Sequence, residues 1–589
     1  MDDNSSNKVT RRDFLKFLGF GALTFAVGST VFKFAGTDRS SNSSLFQNVS
    51  GASPTGSWAM GPSLLSCAIQ AALLPNGKIL YLTGSDFAPT QQGGPYLGGI
   101  FDPVTNAQTT FTFATDVFCS GNCVLQSGNV LLTGGTIMYP QNSPNQNWWG
   151  SNAAYEYNFV SNSFTKLNSM AHGRWYPTQI VLSDGTAAIV SGLDEFGCQN
   201  GLLEVYDPNS QSFSIKFDPG SNRIYCVGFC TNLPGAGSPC YGGKKKGAVP
   251  SMSYFPRMHL MPNGLVASVG MNQPLKTYNP STGQWVIGGN FAINQNRAYG
   301  SSVLLPLQNT TTETGKILSI GGAQNLGAAA TNQCEIVTPN GNSLQTVLTA
   351  SMQFARFYID STILPTGQIF VNGGTSIGDT VSKSVYAAEM FDPISQTWTT
   401  MPSAKVSRRY HQVALLLPDG TVWTAGTTNA NTPPGELRTE IFSPAYVFAT
   451  RPTISGNPSI TGGYGGSITI PTPDAANITS VSLVRVSSVT HHYSSDQRLI
   501  WLQIQNNTSN TLTVAAPINS NIAPPGYYMV FILNQNSIPS IAKIIRIPSQ
   551  QTSTTVSESL QINDGTLSTN ATKSSSVSES LLMDDGATS

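Results

Sequence analysis

Leu74-Pro75-Asn76-Gly77-Lys78-Ile79-Leu80-Tyr81-Leu82-Thr83-Gly84 joins a glycine-centred turn to a short apolar strand that closes on a second glycine. The same phrase returns along the chain. Gln126-Ser127-Gly128 leads to Gly134-Gly135, Ser183-Asp184-Gly185 to Ser191-Gly192, and Pro262-Asn263-Gly264 to Gly270. Thr314-Gly315 leads to Gly321-Gly322, Pro365-Thr366-Gly367 to Gly373-Gly374, and Pro418-Asp419-Gly420 to Ala425-Gly426. Successive turn glycines of these seven copies lie 51, 57, 79, 51, 52 and 53 residues apart. Glycine suits the turn because it adopts positive φ without a Cβ penalty.

A period of about 50 residues is that of kelch-type repeats, in which each copy is one sheet of a propeller. A lone four-stranded sheet cannot bury both faces, so copies pack radially and leave only short edges. The fold class expected is all-β, with a seven-bladed kelch-type β-propeller over residues 56–449. Several copies carry a later edge of the form Phe101-Asp102-Pro103, Tyr206-Asp207-Pro208, Tyr278-Asn279-Pro280 or Phe391-Asp392-Pro393. The 79-residue interval holds an insertion, and propeller insertions map to loops on one face. After Ala449-Thr450-Arg451-Pro452 the pattern becomes alternating strands such as Ser482-Leu483-Val484-Arg485-Val486 and Tyr528-Met529-Val530-Phe531-Ile532. Residues 450–548 are therefore expected to form an immunoglobulin-like β-sandwich. From 549 to 589 the Ser/Thr-rich chain offers too little apolar area to order itself.

At 589 residues the chain is long enough for more than one core. Only 10% of residues are charged, 30 basic against 30 acidic, which leaves no electrostatic footprint for nucleic acid. The one basic run, Lys244-Lys245-Lys246, sits among glycines and reads as a solvated loop. Thr10-Arg11-Arg12-Asp13-Phe14-Leu15-Lys16, followed by an uncharged apolar run from Phe17 to Phe32, reads as a twin-arginine export signal spanning residues 1–36. Residues 37–55 follow as a linker. The run is short for a membrane span, no A-x-A cleavage site follows it, and the first cysteine is Cys67. Export to the outside or the cell surface is the expectation, with membrane contact only through this segment if it stays uncleaved. Eight cysteines are compatible with an oxidising compartment. Cys226, Cys230 and Cys240 lie close together; a disulfide is expected there rather than zinc, since no histidine or fourth cysteine stands at finger-like spacing.

The five histidines are His172, His259, His411, His491 and His492. Taken alone, each reads as structural. Two stand in unusual contexts: Arg409-Tyr410-His411-Gln412 before the last propeller strand, and Thr490-His491-His492-Tyr493 in a loop of the second domain. Two imidazoles with phenolate oxygens make a reasonable ligand set for tetragonal copper(II). Phe118-Cys119-Ser120-Gly121 and Arg174-Trp175-Tyr176-Pro177-Thr178 complete the pattern, with Asp496-Gln497-Arg498 and Pro525-Gly526-Tyr527-Tyr528 after His491. Over residues 56–547 these motifs, in this order, resemble the galactose oxidase and glyoxal oxidase family of copper-radical oxidases.

That resemblance implies a thioether between Cys119 and the ring of Tyr176, and one copper held by Tyr176, Tyr410, His411 and His491. It implies Tyr410 as general base and the Cys119–Tyr176 radical as hydrogen-atom acceptor. The implied reaction oxidises a small primary alcohol or aldehyde with dioxygen to aldehyde or acid and hydrogen peroxide, in a monomer. Alignment on Asp496-Gln497-Arg498 favours His491 over His492 as the ligand. His172 and His259 fit no motif and are left as structural. Cys123 is expected to stay a free thiol. Two departures stand out. Ser191-Gly192-Leu193-Asp194-Glu195 occupies the place of galactose oxidase's stacking tryptophan, and Trp175 is expected to point to the other side of a strand. No carbohydrate-binding domain precedes the propeller, so galactose is not favoured over a small aldehyde or another primary alcohol. The competing function is a non-catalytic surface propeller that binds glycans or proteins through its loops, since fold alone does not choose. Replacing Arg11 and Arg12 by Lys should trap the protein in the cytoplasm on fractionation; normal delivery of that variant would remove the twin-arginine reading.

Overall fold

The computed structural model describes residues 55–85, 94–139, 148–218, 254–325, 327–427 and 435–549. The export segment, the Cys226/Cys230/Cys240 cluster, the Lys244-Lys245-Lys246 run and the tail beyond 549 lie outside the described residues. Within them the chain is all-β. Seven antiparallel sheets each order four strands of the repeat, and a fifth strand joins the first of these sheets. Their inner strands are Gln70–Leu73, Gly121–Val124, Thr178–Val181, Met258–Leu260, Ser301–Leu304, Asp360–Ile363 and Gln412–Leu416. These strands meet one another in chain order, and the seventh returns to the first. The seventh sheet takes its outer strand from the start of the described chain, Ser57–Ser63, which pairs with Arg438–Ser443.

Every turn glycine of the repeat joins an inner strand to its neighbour at φ between 76° and 85°. Gly77, for example, donates its N–H to Leu74 O, and Gly367 donates to Leu364 O. The Asp-Pro edges have an equally local cause. Asp102 and Asp392 each accept two backbone N–H groups from the residues just beyond them, which turns the chain into the outer strand.

Several of this chain's scarce charges lie inside. Arg174–Glu204, Arg297–Glu335, Arg356–Glu389 and Arg408–Glu440 are buried pairs at 2.8, 2.6, 2.5 and 3.7 Å. Each arginine precedes an inner strand, and each glutamate lies on the third strand of the same sheet. The guanidinium also bonds carbonyls at the end of the second strand, as Arg356 does to Gly373 O and Arg408 to Gly426 O. Meanwhile the backbone carbonyls of Arg174, Arg356 and Arg408 accept N–H bonds from Gly135, Gly322 and Gly374 of the preceding sheets. One residue thus ties its own sheet together and docks it on the next. The paired glycines permit this approach: a Cβ on Gly134 would stand 2.2 Å from Arg174 O.

Two further sheets follow. One orders Leu307–Gln308, Leu499–Leu502, Ile478–Arg485, Gly526–Asn534 and Lys543–Ile547. The other orders Ser459–Thr461, Ser467–Pro471, Thr511–Ala515 and Ile504–Asn507. Alternate residues of both, including Ile468, Ile470, Val481, Leu483, Val514 and Val530, share one buried core. Leu307–Gln308, which follows the inner strand of the fifth sheet, adds a parallel strand to this second unit.

Removing one member of a buried charge pair leaves the other uncompensated, a loss of about 3–5 kcal/mol. Glu389→Leu, which strands Arg356, should lower unfolding free energy by that amount in chemical denaturation. A loss below about 1 kcal/mol, the value of an exposed pair, would refute the stapling role.

Candidate metal centre

The residues singled out by the motifs occupy equivalent, strained backbone positions. Cys119 and Tyr176 have φ of 59° and 70° and stand just ahead of the inner strands Gly121–Val124 and Thr178–Val181. His411, at φ 62°, immediately precedes Gln412–Leu416. Left-handed backbone at a non-glycine residue costs about 1–3 kcal/mol and persists only where surroundings enforce it. Here consecutive sheets enforce it: Tyr176 N donates to Cys119 O at 3.0 Å, and Phe255 N donates to Tyr176 O at 3.0 Å.

His491 arrives from the second unit. Ser488–Thr490 pairs antiparallel with Gln70–Leu73, placing Thr490 opposite Gln70 and His491, at φ 50°, just beyond the pairing. The residues that follow bind the inner strands. Asp496 accepts N–H bonds from Val124 at 3.2 Å and Val181 at 3.4 Å. Gln497 accepts from Ile363 N and donates to Ser361 O, and Arg498 donates to Leu260 O. Arg257 donates to the carbonyl of His491 itself at 3.1 Å.

Cys119, His411 and His491 come together in a buried group whose ligating atoms lie within 4.8 Å of one another. The two Nε2 atoms are 3.0 Å apart, and Cys119 Sγ is 3.5 Å from that of His491 and 3.9 Å from that of His411. His491 Nδ1 is engaged by Thr490 Oγ1 at 2.7 Å, which turns Nε2 toward the group. Tyr410 stacks on His411 with ring centroids 3.8 Å apart, and the Tyr176 ring lies 4.4 Å from that of His491. Burial drives His411 down to about 3. It also drives His491 down, with His411, His492 and Arg257 adding to the effect. Both imidazoles are therefore neutral, with lone pairs available. Burial raises the Tyr410 phenol and the Cys119 thiol, the latter further by Asp116, so in the absence of a cation both stay protonated. Facing buried imidazole nitrogens, flanked by the buried Tyr176 and the half-buried Tyr410, form a donor set suited to tetragonal copper(II).

The five motif residues Cys119, Tyr176, Tyr410, His411 and His491 are thus brought to one place. His492 is buried beside it, its ring 5.8 Å from that of Tyr410, and neither ring nitrogen has a hydrogen-bond partner among the described residues. His172 pairs with Glu195 at 2.9 Å and His259 with Ser302 at 2.8 Å, both away from the cluster. Cys123 and Cys334 are buried free thiols, while Cys198 is disulfide-bonded.

Trp175 does not point away from Tyr176. Its ring centroid is 3.8 Å from the tyrosine's. The strand alternation that was expected to separate them fails because Trp175 makes only an isolated bridge to Leu193 and Tyr176 has positive φ. Sequence reasoning also missed Phe255, which stacks on His491 at 3.9 Å, and Tyr299 and Tyr358, whose rings lie 5.7 and 4.9 Å from Tyr410. The signal was present. Phe255, Tyr299 and Tyr358 precede the fourth, fifth and sixth inner strands as Cys119 and Tyr176 precede the second and third, all at positive φ.

The family model "Galactose oxidase-like, Early set domain" matches residues 451–547, and "Glyoxal oxidase N-terminus" matches residues 249–446. Galactose oxidase of Gibberella zeae is 28% identical over 523 residues, covering 84% of this chain and 70% of that protein. Aldehyde oxidase GLOX of Vitis pseudoreticulata is 26% identical over 486 residues, covering 76% and 85%. The solved structure of a fungal alcohol oxidase in complex with copper aligns with a TM-score of 0.69 at 23% identity. It covers 84% of this chain and all of that one, a likeness of fold.

Titration with copper(II) should fill a single site per chain. His411→Ala and His491→Ala should each lose most of the bound metal, and His492→Ala should keep it. Retention in His491→Ala with loss in His492→Ala would reverse the choice of ligand.

Proposed function

Since the chain belongs to the galactose oxidase and glyoxal oxidase family, we propose that it is an exported copper-radical oxidase of a primary alcohol or aldehyde. Its seven repeat sheets act as blades of a kelch propeller, and the second unit is an immunoglobulin-like early-set domain. The observation that carries this reading is the convergence of Cys119, Tyr176, Tyr410, His411 and His491 on one buried cluster, with imidazole nitrogens 3.0 Å apart.

Tyr176, Tyr410, His411 and His491 would hold the copper. When bound, copper would supply one of the two oxidising equivalents, and the side chain of Tyr176 joined to Cys119 would supply the other. Two electrons can then leave a substrate at a single-metal site. Tyr410, protonated when no cation is near, would stand as phenolate beside the bound copper and in that form take the hydroxyl proton of the substrate. Tyr176 takes the hydrogen atom from the same carbon, which leaves the aldehyde. Dioxygen collects the two electrons and two protons and departs as hydrogen peroxide, restoring both tyrosines. An aldehyde substrate follows the same course as its hydrate, giving the acid. The sulfur of Cys119 spreads the unpaired spin of Tyr176, and Trp175 covers the ring.

Cys119 and Tyr176 share an apolar cluster with Phe118, Trp175 and Phe255, which excludes water from the oxidised side chain. Copper-matured protein should yield the Cys119 and Tyr176 peptides covalently linked, lighter by two hydrogens and resistant to reductant. Cys119→Ala should fold and bind copper yet lose most peroxide production on a panel of alcohols and aldehydes. Separate, unmodified peptides after full copper loading in air would defeat this mechanism and leave a binding propeller as the better reading.

A further inference from the structure

Tyr176 is the first of a run of oxidisable rings. Its centroid lies 3.8 Å from Trp175, which stacks on Trp148 at 4.8 Å with planes 12° apart. Trp148 in turn lies 4.7 Å from Tyr139, whose hydroxyl donates to Asp116 Oδ2 at 2.9 Å. Trp148 is half-buried and Tyr139 is buried. We propose that Trp175, Trp148 and Tyr139 form an electron relay through which a one-electron oxidant in solution oxidises the Tyr176–Cys119 side chain. This rests on the reading of Tyr176 given above and extends it to how the side chain reaches its oxidised state.

The chemistry of the side chains selects the route. Indole and phenol give up an electron far more readily than benzene, so Phe118, 6.2 Å from both Trp148 and Tyr139, packs against the run without carrying charge. Ring-to-ring steps this short let an electron cross in stages rather than in one long transfer. Asp116 makes the Tyr139 end workable. Its Oδ1 accepts N–H bonds from Ser85 and Phe118, which fixes the carboxylate and leaves Oδ2 to the phenol. Burial raises this carboxyl above the usual range and so makes it a better proton acceptor.

The balance is simple. The oxidant gains one electron from Trp148, the half-buried ring, or from Tyr139 as its proton shifts to Asp116. Electrons then move outward from Trp175 and finally from Tyr176. Tyr139 recovers its proton from Asp116 and the three relay rings end unchanged. The net change is one electron from Tyr176–Cys119 to the oxidant.

The test follows oxidation of the copper-loaded, reduced protein by hexachloroiridate(IV) in stopped flow, read in the optical and spin-resonance signals of Tyr176. Trp148→Phe should slow the reaction about tenfold or more, equivalent to about 1.4 kcal/mol in barrier. Trp148→Tyr, nearly the same size but oxidisable, should recover most of the rate, a rescue that packing alone cannot produce. Tyr139→Phe should abolish the slowing that the wild type shows in deuterated water. Equal rates for Trp148→Phe and wild type would overturn the relay, as would equal slowing in Trp148→Phe and Trp148→Tyr. Failure of the underlying reading looks different: Cys119 and Tyr176 peptides found unlinked remove both the radical centre and the relay that feeds it.

Discussion

The centre of the seven sheets is the place on which everything else depends, because inner strands leave backbone groups there with no partner in their own sheet. A buried N–H without a partner is costly. The segment from Arg485 to Arg498 resolves this for several sheets at once. Asp496 takes N–H groups from the second and third inner strands, and Gln497 satisfies the sixth in both directions. Arg498 reaches the fourth, and Ser488–Thr490 adds a strand to the first. His491 rides on this plug. Its position is therefore set by five sheets as well as by its own strands, which is how the Nε2 atoms of His491 and His411, 80 residues apart in the chain, come to lie 3.0 Å apart.

The same rigidity holds the other side chains in place. Buried Arg–Glu pairs tie four of the sheets internally, and arginine carbonyls dock against paired glycines of the neighbouring sheet. With this frame around them, Cys119, Tyr176 and His411 are held at left-handed φ values that isolated chains avoid. Strain is tolerable there because the surrounding ladder would have to break to relieve it. A preorganised set of side chains needs little reorganisation when something binds there.

Much of this was legible in the residues. The seven turn glycines marked the seven sheets, since a turn of this kind demands positive φ wherever it occurs. The strands expected around Leu483 and Val530 formed where alternation placed them. Cys119 and Tyr176 lie 57 residues apart, as do the turn glycines Gly128 and Gly185, and both stand just ahead of an inner strand. The Arg–Glu pairs were also written in the chain, as arginines before inner strands and glutamates on third strands. They escaped notice because a spacing of 30 to 38 residues is no local signal.

Other features were beyond reach of any linear reading. Alternation along a strand placed Trp175 away from Tyr176, yet one residue at φ 70° cancelled the pleat and brought the rings together. The closing of the seventh sheet by Ser57–Ser63, far from Arg438–Ser443 in sequence, is likewise a matter of where the ring ends. What the sequence by itself determined was the repeat, the strand content and the chemical types of the clustered side chains, because turns, alternation and donor atoms are properties of neighbouring residues. How closely His491 approaches His411, and which rings stack beyond Tyr176, only the tertiary structure decided. Those choices are made by the inserted plug and by backbone handedness, which act between residues hundreds apart in the chain.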